Sequence, residues 1–118
     1  MAGMPYLLLI IEPAGQRRSR GLEAGRELYD RMRTYADGLT ARGVLLGTNS
    51  LKSEGARLTV QDGRHTVVDG PFTEAKELVG GYFLLDVQTR AEALALAAEC
   101  PAAAWATVEV RETGPCYE

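Results

Sequence analysis

Asp69-Gly70-Pro71-Phe72-Thr73-Glu74-Ala75-Lys76-Glu77-Leu78-Val79-Gly80-Gly81-Tyr82-Phe83-Leu84-Leu85 is the stretch that decides how this chain is organised. Proline fixes its own φ near −65° and pushes the preceding residue out of the helical region, so Gly70-Pro71 reads as a fixed corner. Asp69 is placed to lock that corner by bonding to a backbone N–H two or three residues on. Thr73 to Val79 then predicts a helical turn, ended by Gly80-Gly81, whose backbone freedom suits a stop. Tyr82 to Val87 follows as an apolar strand.

Working back toward the N-terminus, Arg57-Leu58-Thr59-Val60 and His65-Thr66-Val67-Val68 flank Gln61-Asp62-Gly63-Arg64. Asp-Gly between short β-prone runs is a hairpin signal. Val44-Leu45-Leu46 opens a strand running toward Leu51. Before it, Leu28, Met32, Tyr35 and Leu39 recur at helical spacing within Leu22 to Arg42, and Gly43 follows as the C′ residue. Pro13 to Gly21, with Arg17, Arg18 and Arg20, reads as a basic solvated loop or as a screen for anions at a pocket mouth. Pro5 to Ile11 is continuously apolar, so it predicts a strand covered on both faces.

Working forward, Thr89-Arg90-Ala91-Glu92 is a capping box. Its helix is expected to bury Leu94, Ala97 and Ala98 and to stop before Pro101. Trp105 to Arg111 alternates as the last strand. Ala106, Val108 and Val110 take one side; Trp105, Thr107, Glu109 and Arg111 take the other. The order is β-α-β, hairpin, turn, β-α-β. That is an α+β, ferredoxin-like split pattern with both helices on one face of an antiparallel sheet. The other face, mixed on the last strand and apolar on the first, needs a cover, and a second copy of the chain is the simplest one.

Length and composition exclude several classes of function. A chain of 118 residues with 46% apolar and 25% charged residues is one soluble domain, 1–118, able to bury a core without metals. Its net charge of −3 gives no push toward nucleic acid. The first apolar run contains Glu12, lacks a basic leader and is too short to span a membrane, so a cytoplasmic location is expected. Cys100 and Cys116 show no metal-binding spacing and read as free thiols, the first packed and the second exposed. Phosphate-cradling glycine motifs, HExxH and GxSxG do not occur, so neither cofactor nor metal is expected.

Asp69-Gly70-Pro71-Phe72, then Thr73-Glu74, Lys76-Glu77 and Gly80-Gly81-Tyr82-Phe83, together resemble the signature of the YCII-related family in its DGPF branch. Tyr6–Glu12, Gly43–Gly47, Cys100-Pro101 and Val108–Arg111 extend the resemblance over nearly the whole chain. It implies a dimeric α/β barrel with a cavity between sheets, and signature positions at Asp69, Phe72, Glu74 and Lys76. It also admits a role beside an extracytoplasmic-function sigma factor. The family's proposed acid–base histidine in the first helix is missing here. The single histidine, His65, falls in the hairpin instead, where an exposed residue is expected.

The candidate site follows from both lines of reasoning. Asp69 and Glu74 are the candidate bases, with a turn-locking role the alternative for Asp69. Phe72, Lys76, Tyr82, Trp105, Glu109 and Arg111 are the candidate ligand-binding residues. Aromatic walls with few polar groups suit a small organic molecule. Three uses remain open: cofactor-independent proton transfer, elimination or isomerisation; binding without turnover; and protein contact with a sigma factor.

Overall fold

The computed structural model describes residues 4–70 and 75–117. Six strands and three helices follow the order β1 (Tyr6–Pro13), α1 (Gln16–Arg20), α2 (Leu22–Ala41), β2 (Leu45–Ser50), β3 (Ala56–Gln61), β4 (Arg64–Asp69), β5 (Glu77–Leu85), α3 (Arg90–Ala98), a 3₁₀ turn (Pro101–Ala104) and β6 (Thr107–Glu112). β2, β5, β1 and β6 form one antiparallel sheet in that order, the ferredoxin-like arrangement. The sheet is open and not a closed barrel. β3 and β4 form a separate two-stranded ribbon. Asp62 (φ 51°) and Gly63 (φ 77°) turn that ribbon, the paired left-handed conformations of a two-residue hairpin loop.

Alternation along β1 sets the core. Tyr6, Leu8 and Ile10 are buried on the helix side, with Phe83 and Leu85 of β5 beside them. Leu39 of α2 and Ala93, Leu96 and Ala97 of α3 close over them. Leu8, Leu39 and Leu85 are fully enclosed, each stabilising the fold by about 1.5–3 kcal/mol relative to exposure. Tyr35 donates to the Leu96 carbonyl at 2.6 Å and meets Phe83 edge-on, tying α2 to α3 and the sheet. Burial pushes the Tyr35 hydroxyl well above its ordinary range, so it stays a donor. Burial likewise raises the Cys100 thiol; Cys116 is exposed.

Helix ends follow the sequence closely. Thr89 Oγ1 accepts from the Glu92 N–H at 3.1 Å, and Gly43 (φ 73°) lets the Val44 N–H reach back to the Leu39 carbonyl. Other expectations need correction. Within the basic loop Pro13–Gly21 the chain forms α1. α3 buries Ala93, Leu96 and Ala97, while Leu94 is 40% exposed and Ala98 is also exposed, because the helix is rotated about one position from the expected face. The expected helical turn over Thr73–Val79 is strand from Glu77 onward; its first part lies outside the described residues. Gly80-Gly81 are therefore inside β5 and do not end a helix. The register of β1 against β5 shifts at Ile10/Ile11, leaving Gly80 as the bulged residue.

The two faces of the sheet differ in cover. Cross-strand register places Asn49, Tyr82, Leu9 and Glu109 in one row on the face away from the helices, with Leu84, Leu7 and Arg111 in the next. Leu7, Leu9, Ile11 and Leu84 are half-buried there by their neighbours in the sheet. Among the described residues no helix covers them. β1 is thus apolar on both sides, as its sequence predicts, but within one chain only the helix side is closed.

Candidate functional site

Glu12 ends the buried row of β1 and is 6% exposed. A carboxylate seldom sits so deep without a partner. Here the partner is Arg17 of α1, whose Nε lies 2.6 Å from Glu12 Oε1. The same guanidinium donates through Nη1 to the Leu51 carbonyl at 2.6 Å and through Nη2 to the Gly80 carbonyl at 3.0 Å. One side chain thereby joins α1, β1, the end of β2 and the bulge of β5. Gly80 makes this possible. A Cβ there would stand 2.5 Å from Glu12 Oε2 and 2.8 Å from Arg17 Nη2. Arg17, expected on a solvated loop or as an anion screen at a pocket mouth, is instead held in this clamp. The missed signal was a lone Glu at the end of an apolar strand, five residues from an arginine.

Two open cavities of about 750 Å³ each border the clamp, and Glu12, Arg17 and Arg18 line both. The first lies between the 52–57 loop and the start of β5. Its charges are mixed: Arg17, Arg18, Lys52 and Arg57 against Glu12, Glu54 and Glu77. The second lies on the helix side of the sheet, under the N-terminal half of α2. It exists because α2 descends onto the sheet along its length: Leu22 is 70% and Tyr29 52% exposed, but Leu39 is 1% exposed.

Trp105 belongs to this second cleft. The expected position beside Glu109 and Arg111 is therefore corrected. β6 starts at Thr107, and Trp105 caps the 3₁₀ turn with ψ near 0°, so the strand alternation does not extend back to it. Its ring packs against the core, with the guanidinium carbons of Arg20 and Arg31 at 5.8 and 5.4 Å from its centroid. Gln16 Nε2 donates to the Trp105 carbonyl at 2.6 Å and fixes the turn to α1.

The remaining expected site residues are dispersed. Tyr82, Glu109 and Arg111 share the open sheet face. The Tyr82 hydroxyl accepts from Asn49 Nδ2 at 2.9 Å, and Arg111 pairs with Glu109 at 3.3 Å. That exposed pair contributes about 0–1 kcal/mol. Asp69 sits at the exposed end of β4, and Lys76 is exposed just before β5, its carbonyl accepting from the Ala14 N–H at 2.9 Å. Phe72, Glu74 and the backbone corner that Asp69 would lock lie outside the described residues. His65 is exposed on the ribbon. Among the described residues, no group of three or more His, Cys, Asp or Glu is arranged to hold a metal ion. Nor, among them, is any helix long and apolar enough to cross a membrane.

No curated protein matches this chain. The family model of the YCII-related domain matches residues 4–115, taking in the sheet, all three helices, the ribbon and the Glu12–Arg17 clamp. The chain therefore belongs to the YCII-related family.

Proposed function

We propose that this protein works as a pair of chains whose open sheet faces meet and enclose a chamber for a small organic molecule. The observation that carries the reading is the uncovered face itself. Its centre is Leu7, Leu9, Ile11 and Leu84, and its flanks are Asn49 with Tyr82 and Glu109 with Arg111. An apolar floor with a few polar groups at its edges is the composition of a small-molecule site. The ribbon supports the same reading. Leu58, Val60, Val67 and Val68 are each more than half exposed, and a two-stranded ribbon alone is marginal in water. A second chain is the natural cover for both.

Binding fits this face better than acid–base turnover. Glu12 is engaged by Arg17 on the helix side, and Asp69 stands at an exposed strand end, so neither carboxylate is aimed at the chamber. Cofactor-independent proton transfer there would have to use Glu109, which is held by Arg111, or a carboxylate such as Asp69 delivered by the second chain. Docking of a sigma factor on the same face is the competing use, and it predicts a monomer when the protein is alone.

Sedimentation equilibrium separates these outcomes. The expected mass at micromolar concentration is twice the 12.8 kDa of one chain. Leu9→Glu puts an unpaired charge at the centre of the face, where burial costs about 3–5 kcal/mol, so dimer dissociation is expected to rise at least about 100-fold. A wild-type chain that stays monomeric at high micromolar concentration, or a Leu9→Glu dimer as tight as wild type, would overturn the pairing.

A further inference from the structure

The second cleft has a charge pattern that the folded core does not need. Arg17 is neutralised by Glu12, which leaves Arg18, Arg20, Arg26 and Arg33 on its walls. Among the described residues none of these four is within ion-pair distance of a carboxylate. α2 sorts its charges by face. Leu22, Gly25, Arg26, Tyr29, Met32 and Arg33 follow one helical stripe into the cleft, whereas Glu23, Glu27, Asp30 and Asp37 do not line it. In a chain of net charge −3, four guanidinium groups without a carboxylate partner around one cleft concentrate positive potential against the overall balance.

The floor of the cleft is apolar. Ile10, Phe83, Met32 and Trp105 line it, and Leu28 and Tyr29 continue the α2 stripe over space that no side chain of the described residues fills. Arginine stacks on flat π surfaces and also pairs carboxylate or phosphate in a fork of two N–H donors. Arg20 and Arg31 already hold the Trp105 ring in that manner.

We infer that the cleft between α2 and the sheet is a binding site for a small organic anion. The ligand class is a flat apolar body carrying carboxylate or phosphate. Its body lies on Trp105, Phe83 and Met32, and its charge is met by Arg26 and Arg33 from α2 with Arg18 and Arg20 opposite. The site lies on the helix side of the sheet, so it stands or falls independently of the paired open faces.

Trp105 is the single tryptophan, so its fluorescence reports this cleft directly. The full chain is titrated with phthalate, phenyl phosphate, inorganic phosphate and uncharged benzamide. Phthalate and phenyl phosphate test the carboxylate and phosphate sources of the same chemistry. At least one of them is expected to give a saturable change, at least about tenfold tighter than inorganic phosphate or benzamide and weakened by added salt. The double variant Arg26→Gln/Arg33→Gln is expected to lose at least about tenfold in affinity. Its unfolding midpoint should not move, since both residues are exposed and unpaired. Overturning results are no saturable change up to about 10 mM; equal binding of inorganic phosphate or benzamide; or undiminished binding by a folded double variant.

Discussion

Arg17→Met is expected to lower the thermal unfolding midpoint by roughly 8–16 °C, using about 4 °C per kcal/mol for a chain of this size. The substitution keeps an apolar stem but leaves Glu12 as a charge on a side chain only 8% exposed, beside a Gly80 carbonyl that retains only the Leu51 N–H as donor. Removing one partner of a fully buried pair costs about 3–5 kcal/mol; Arg17 is 39% exposed, so solvent screening reduces this to about 2–4 kcal/mol. The cost arises from the stranded carboxylate more than from the lost attraction. Glu12→Gln in the same background should therefore recover part of it. The pair is read by a double-mutant cycle in urea, where the combined variant should lose clearly less than the sum of the single changes. Additive losses would mean that Glu12 and Arg17 do not act as one unit.

Gly80→Ala is expected to destabilise by about 1–3 kcal/mol, the range for forcing an extra group into a filled site. Its sign is the informative part. Alanine for glycine inside regular structure usually stabilises by about 0.5–1 kcal/mol, because it restricts the unfolded chain. At Gly80 the added methyl would sit 2.5 Å from Glu12 Oε2 and 2.7 Å from its Cδ. That carboxylate is the far end of a side chain and would normally swing away. Here the Arg17 guanidinium holds it, itself fixed by two backbone carbonyls. Gly38→Ala is the control: it lies in α2 with nothing within 4 Å of an added Cβ, and should gain stability. Chemical denaturation midpoints of the two variants should move in opposite directions. If both rise, the clamp is loose enough to yield.

Local rules carried much of the fold. The Thr89–Glu92 box, the Gly43 stop and the Asp62-Gly63 turn are interactions within a few residues, so their outcome is written in the chain order. The apolar run of β1 likewise determines a strand with two apolar faces, whereas its central place between β5 and β6 comes from long-range pairing. Alternation in β6 put Glu109 and Arg111 on one face for the same reason. It failed at Trp105, where the backbone had not yet entered the strand. It also failed along 77–81. Glycine pairs permit either a helix stop or a bulge, and the choice fell to Glu12 and Arg17, which occupy the space beside Gly80.

By itself, then, the sequence determined the four-stranded sheet, its two long helices, the ribbon turn and the Gly43 and Thr89 caps, and left α1 and the start of β5 undetermined. The clamp and the cleft were decided only in three dimensions. Arg17 meets carbonyls 34 and 63 residues away, and the descent of α2 onto the sheet depends on how Leu39, Tyr35 and α3 pack at its far end. Local propensity fixes what a segment becomes. Which charge ends up buried beside which glycine is fixed by long-range packing, and no window of neighbouring residues contains it.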